Sequence, residues 1–233
     1  MYEQELERHR RTETSLRASV IREGKLLRQK EDLILQKDTL AKESVHRLLN
    51  GLQLINSILS MQSRGATQPE TAAQLTSAAK RISTLSRIHQ HLHAVDNLQN
   101  VEFKQYLDSL CLEISGLLPD EANDRKLCVE GGSLVIPSAT AMPLAFIVSE
   151  LITNSIKYAT GKITVSLQRL ESGGAILSVV DEGPGLPEAF VPAANSGLGM
   201  RIVSALTHQI QGQLSFSKGE SGRGTRFSVA FRL

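Results

Sequence analysis

Tryptophan is absent from the 233 residues, aromatic side chains make up only 4%, and there are two cysteines. Cys111 and Cys128 have no metal-ligand spacing, and so sparse a pair forms no disulfide framework, so a reducing, cytoplasmic setting is expected. The formal net charge is +2, which gives no electrostatic case for nucleic acid or a membrane surface as partner. No apolar run reaches bilayer length, and the opening MYEQELERHRR has no signal-peptide core, so no membrane span is expected. No GK[ST] occurs and no GxGxxG follows a strand, which sets aside the P-loop and dinucleotide folds.

Proline is also missing from Met1 to Gln62, where charges are interleaved with leucines. Apolar residues recur every seven positions through Val20, Leu27, Ile34, Ala41, Leu48 and Ile55. From Ala41 onward a second series, Val45, Leu52 and Leu59, joins the first, and the stripe they form predicts a helix packed in a bundle or coiled coil. Upstream, Gly24, Glu31 and Asp38 interrupt the second series, which marks residues 1–37 as a helix that is looser or shifted in register. The stretch SRGATQP (Ser63 to Pro69) breaks the pattern, and a second helix is expected from Glu70 to Ala94. Two helices joined by a short turn pack antiparallel and have too little core alone, so a homodimeric four-helix bundle is expected over residues 38–97.

Residues 98–233 have a different texture. Helices are predicted at FKQYLDSLCLEISGLL, from Ser138 to Ala159, and at GLGMRIVSALTHQI. Strands are predicted at KLCVEG, KITVSLQRL, AILSVVDEG, QLSFSKG and TRFSVAFRL, with a hairpin turn at Ser172-Gly173-Gly174. Helices over one face of a mainly antiparallel sheet make an α+β sandwich.

Three constellations carry candidate chemistry. Glu43, His46, Asn50 and Gln53 are three and four residues apart, so they share a polar stripe beside the apolar seam. A neutral imidazole there is a nucleophile for phosphorus, and the carboxylate one turn earlier can orient the ring or take its proton, although an isolated histidine is more often a solvated one. Glu150, Asn154 and Lys157 share one face of the long helix, a carboxylate, an amide and a cation that suit Mg2+ and phosphate. Gly197 and Gly199 precede an apolar helix, whose N-terminal N–H groups favour phosphate oxygens. The run His89, His91 and His93 lacks a completing carboxylate and reads as hairpin core or surface.

Taken in order, His46-Arg47-x-x-Asn50, Glu150-x-x-x-Asn154, Asp181-x-Gly183-x-Gly185, Gly197-x-Gly199 and Gly224-Thr225 resemble the boxes of a sensor histidine kinase. The resemblance covers residues 38–233 and joins a dimerisation and phosphoacceptor hairpin to an ATP-binding domain of the GHKL (Bergerat) type. VHRLLNG, SRIHQHL and AMPLAFIVSELITNSIKYA are similar to the HR-type subclass related to the HWE kinases. Ser149 stands where the HWE branch has a histidine, and Leu49 and Gly51 stand where lysine and asparagine are common. Gly51 costs its helix about 1 kcal/mol relative to alanine.

The resemblance implies that His46 is phosphorylated, with Glu43 and Asn50 beside it and Glu150 as polarising or proton-accepting group. It implies Mg2+ on Asn154 and ATP held by Lys157, Tyr158, Asp181, Gly183, Gly185, Leu186, Gly197, Leu198, Gly199 and Thr225. Asp181 would accept a hydrogen bond from the adenine amino group, and the stretch between Gly185 and Gly197 would be a short ATP lid. The expected activity is ATP-dependent autophosphorylation, with transfer to an aspartate of a response regulator in trans and input from an upstream sensory domain or protein. Two alternatives are compatible with the sequence: a non-catalytic histidine phosphotransferase whose ATP domain is scaffold, and a GHKL-type ATPase or serine kinase in which His46 is incidental.

Overall fold

The computed structural model describes residues 2–94, 100–116, 126–171, 173–186, 197–219 and 222–233. Five helices and seven strands occur among them: α1 (Tyr2–Gly65), α2 (Pro69–Ala94), β1 (Asn100–Glu102), α3 (Phe103–Gly116), β2 (Leu127–Gly131), β3 (Val135–Pro137), α4 (Ser138–Tyr158), β4 (Ile163–Arg169), β5 (Gly174–Asp181), α5 (Leu198–Gln209), β6 (Gln213–Lys218) and β7 (Thr225–Arg232). The chain forms two compact units, Met1–Ile55 and Asn56–Leu233.

The first unit is a single helical segment of α1. Its first apolar series is outward, with Val20, Leu27, Ile34, Leu48 and Ile55 all exposed, whereas in the second series Val45 is half-buried and Leu52 buried. Glycine at positions 24 and 51 does not interrupt the helix, because the flanking residues are helix formers and no neighbour crowds either position.

In the second unit the end of α1 and the whole of α2 make an antiparallel hairpin. The Asn56 amide donates to Ser83 Oγ at 3.1 Å, and Ser63 Oγ meets Thr76 Oγ1 at 2.8 Å, so rising numbers on one helix face falling numbers on the other. α1 runs to Gly65, three residues beyond the Gln62 at which the periodicity breaks. Ile88 and Leu92 of α2 then enter the same core as Phe103 and Leu107 of α3 and Leu144 and Ile147 of α4.

The main sheet has the order β2-β4-β5-β7-β6, with β2 parallel to β4 and all other neighbours antiparallel. Alternation sets its faces. Val165, Leu167, Leu177, Val179, Val229 and Phe231 are buried and belong to the helix-side core, while Ser178 and Ser228 alternate with them and bond to each other at 2.9 Å. This is the α+β sandwich the pattern predicts. Two three-residue strands, β1 and β3, pair in a small second sheet that the sequence does not announce, being too short to show alternation. Glu102 at the end of β1 caps α3: its carboxylate accepts the Gln105 N–H at 2.6 Å and the Leu134 N–H at 3.0 Å. Burial works against the charge, but these backbone donors outweigh it and hold the carboxyl below its ordinary value.

α4 is the one described helix long and apolar enough to cross a bilayer, a length the sequence reading does not credit to any run. Two-thirds of its apolar window is buried, 67%, and it is the core helix beneath the sheet. Its exposed end carries the candidate site residues Asn154, Lys157 and Tyr158.

Candidate functional site

β5 ends at Asp181, and everything about that end is built to hold the carboxylate. Asp181 Oδ1 accepts the Gly183 N–H at 2.9 Å and the Thr225 N–H at 3.2 Å, and Oδ2 accepts the Ser155 hydroxyl of α4 at 3.3 Å. The side chain is 8% exposed, so these donors replace the water it has lost. Gly224 lets β7 approach this point: its φ is +71°, and a β-carbon there would sit on the Asp181 carbonyl oxygen.

A cavity of about 630 Å³ opens in front of Asp181, within the range that holds a nucleotide-sized ligand. α4 contributes Asn154, Ser155, Lys157 and Tyr158, and the segment after β5 contributes Gly185 and Leu186. The start of α5 contributes Gly197, Leu198, Gly199 and Met200, and β7 contributes Thr225 and Phe227. Ten predicted nucleotide-binding residues therefore meet at one cavity: Asn154, Lys157, Tyr158, Asp181, Gly185, Leu186, Gly197, Leu198, Gly199 and Thr225. Of the expected lid between Gly185 and Gly197, Leu186 lines the cavity and residues 187–196 lie outside the described residues.

Gly183 does not line the cavity. A β-carbon at that position would lie 2.6 Å from the Ala159 β-carbon, so the glycine lets the turn press on the end of α4. Its N–H serves the site indirectly, by holding Asp181.

No side chain caps α5, whose N-cap is Gly197 in extended conformation, so the first-turn N–H groups and the positive end of the helix dipole face the cavity. Asn154 donates its amide N–H to the Met200 sulfur at 3.6 Å, which leaves its carbonyl oxygen as a hard donor. The Lys157 ammonium rests 4.8 Å from the centre of the Tyr158 ring, a cation–π contact on an exposed surface.

Glu150 is one turn behind Asn154 and lies outside the cavity wall. Its carboxylate is 8% exposed by residue and accepts from Arg81 Nε of α2 at 3.1 Å. Gly199 passes so close that a β-carbon would lie 2.4 Å from Glu150 Oε2. Gln74, Ser77 and Arg81 of α2 also line the cavity, and the sequence reading misses all three. They belong to no motif, and the Arg81–Glu150 pair spans 69 residues.

In the first unit His46 and Asn50 are exposed on α1. Glu43, expected to orient the imidazole, instead pairs with Arg47 one turn ahead, the favourable acid-before-base order on a helix. Of the histidine run, His89 is buried on α2, His91 is exposed, and the His93 side chain is outside the described residues. No group of three His, Cys, Asp or Glu that could hold a metal occurs among the described residues.

Comparison with known proteins agrees with this geometry. The histidine kinase family matches residues 43–118. The family of histidine kinase-, DNA gyrase B- and HSP90-like ATPases matches residues 139–233. The two matches follow one another along the chain and correspond to a helical N-terminal region followed by an α/β ATP-binding domain, the make-up of a histidine kinase catalytic core. The sensor histidine kinase PdtaS of Mycobacterium tuberculosis is 28% identical over 220 residues, covering 89% of this chain and 42% of the relative. Blue-light-activated histidine kinase 2 of Erythrobacter litoralis is 25% identical over 191 residues, covering 77% of this chain and 54% of the relative. This chain thus spans about half the length of these relatives, or less. The histidine kinase domain of an Erythrobacter litoralis blue-light-activated kinase shares the fold, with a TM-score of 0.58 at 21% identity, covering 78% of this chain and 96% of that one.

Proposed function

We propose that this chain is the catalytic core of a two-component sensor kinase, which moves the γ-phosphoryl group of ATP to His46 and then to an aspartate of a response regulator in trans. The observation that carries the reading is the single cavity that joins Asp181, the open start of α5, Asn154 and Lys157. Asp181 already accepts from three protein donors, and a carboxylate has room for one more, which suits a purine amino group. Leu186, Met200 and Phe227 offer apolar contact for the base, and the α5 N–H groups and Lys157 face the phosphates.

The donors fit Mg2+. One amide oxygen on Asn154, with no three-residue cage among the described residues, suits an ion that keeps its waters and takes phosphate oxygens. Bound there, Mg2+ offsets charge on the phosphates. The chain's own residues do the rest: they position the nucleotide, exclude water from the base and present a nucleophile.

At His46 a ring nitrogen forms the new N–P bond as the bond from phosphorus to the bridging oxygen breaks and ADP leaves. The imidazole gives up its proton to a base, a role for which Glu43 must exchange Arg47 for the ring. Glu150, outside the cavity wall and paired with Arg81, acts on the ATP site by holding the start of α5 rather than by taking a proton. The outward leucines of α1 support a homodimer, because a second copy covers the stripe that one chain leaves in water. The functional division follows: 1–37 signalling helix, 38–97 dimerisation and phosphoacceptor hairpin, 98–233 ATP-binding domain, acting in the cytoplasm on input from an upstream sensory module.

Incubation with Mg-ATP labelled at the γ-phosphate tests the reading. Label that is acid-labile, base-stable and lost in His46→Ala is expected. Label that survives in His46→Ala sinks the acceptor assignment. Failure of the parent to take up nucleotide favours a phosphotransferase.

A further inference from the structure

Arg81 is a cation at the wall of the nucleotide cavity, delivered by a helix outside the ATP-binding sandwich. Its side chain is held in place: Nε donates to Glu150 Oε1 at 3.1 Å and Nη1 donates to Ser77 Oγ at 2.9 Å. A guanidinium has five N–H groups, and these two bonds leave three, including both on Nη2. Nη2 lies 3.1 Å from where a β-carbon on Gly199 would be, beside the first turn of α5. That turn has no side-chain cap, and its N–H groups and dipole already favour an anion.

Glu150 supplies one anion at this point, with Oε2 beside Gly199 at the start of α5 and Oε1 on Arg81 Nε. One carboxylate engaged through Nε serves only one edge of the guanidinium fork, and the Nη2 edge beside the same helix turn is left for a second anion. The side chain keeps 21% exposure against 10% for Glu150, and Arg81 lines the nucleotide cavity whereas Glu150 does not. Among the described lining residues Arg81 and Lys157 are the cations, and Lys157 is at the opposite, exposed end of α4 beside Tyr158.

We propose that Arg81 is a phosphate-binding residue of the nucleotide site, so that the helical hairpin and the ATP-binding sandwich grip the same phosphates. Glu150 and Ser77 position the guanidinium, and Nη2 donates to the phosphate oxygens that also receive the α5 N–H groups. The inference rests on the nucleotide reading of the cavity and adds to it a donor from α2. It makes nucleotide phosphorylation state something α2 senses directly.

The test compares binding of adenosine, ADP and adenylyl imidodiphosphate, each with Mg2+, to the full chain and its variants. The parent binds more tightly as phosphates are added. Arg81→Gln loses about tenfold on adenylyl imidodiphosphate and changes adenosine affinity by less than about twofold. Arg81→Lys recovers part of the loss, because a cation without the fork replaces one with it. Arg81→Gln leaves Glu150 buried without its cation, so Arg81→Gln with Glu150→Gln provides a second, charge-balanced variant, for which the same loss of phosphate preference is expected. Loss that is equal for all three ligands in both variants, or no loss at all, overturns the proposal while leaving the nucleotide site intact. A parent that binds none of the three removes the nucleotide reading itself and the proposal with it.

Discussion

The two candidate centres of this protein are built in opposite ways. Asp181 is buried, with three donors from three different segments converging on it. His46 stands exposed on a helix where Leu48 and Ile55 also face outward. A site that must recognise one small molecule is defined by packing, and its geometry persists without the ligand. An acceptor that must meet first a nucleotide and then another protein has to stay accessible, so nothing around it in one chain marks it out. The nucleotide centre can be argued from contacts, whereas His46 rests on its place in the family pattern.

Mutations at the two centres should therefore differ in kind. The largest effect is expected for Asp181→Ala, which leaves two backbone N–H groups and a hydroxyl without their acceptor. It should weaken nucleotide binding by about 100-fold or more and cost about 3 kcal/mol of stability, read by calorimetry and by urea unfolding. If Asp181→Ala unfolds at the parent's midpoint, the buried centre is less interlocked than its hydrogen bonds imply.

A matched pair of glycine substitutions sharpens the contrast. Gly199→Ala places a methyl 2.4 Å from a carboxylate that Arg81 pins, so it should destabilise by about 2 kcal/mol and weaken nucleotide binding. Gly51→Ala meets nothing within 4 Å on α1, so it should stabilise the helix by about 1 kcal/mol. The same change has opposite signs in the two units, and equal signs in urea unfolding would contradict the account.

The smallest effect belongs to Glu102, which caps α3 away from both centres. Its folded carboxyl lies below the ordinary value of 4.5, so its contribution is present above that value and lost as pH falls through the lowered one. Glu102→Gln should flatten the fall of the unfolding midpoint between about pH 6 and about pH 3. An unchanged slope would mean the cap contributes nothing to acid sensitivity.

What the sequence conveyed follows the same division. The apolar period of α4 and the alternation of β4, β5 and β7 are local and strong, so these elements and their site residues were legible. Asp181 and the glycines before α5 were legible too, because their order along the chain matches a family whose chemistry needs them. Arg81 was not legible, since a contact across 69 residues leaves no periodic mark. Nor was the entry of Ile88 and Leu92 into the core of the ATP-binding region, because an apolar stripe does not say which surface covers it. Glu43 shows the limit of spacing arguments: three residues from His46 and four from Arg47, it chooses the guanidinium.

The claim at the centre is that one buried carboxylate serves nucleotide binding while one exposed histidine takes the phosphoryl group. Mapping the phosphorylated peptide at neutral pH, after incubation with Mg-ATP, tests both halves together in the parent, His46→Ala and Asp181→Asn. The parent should carry phosphate on the peptide containing His46, and neither variant should, although His46→Ala still binds nucleotide like the parent. Phosphate on another residue, or on His46 in Asp181→Asn at the parent's rate, would contradict it.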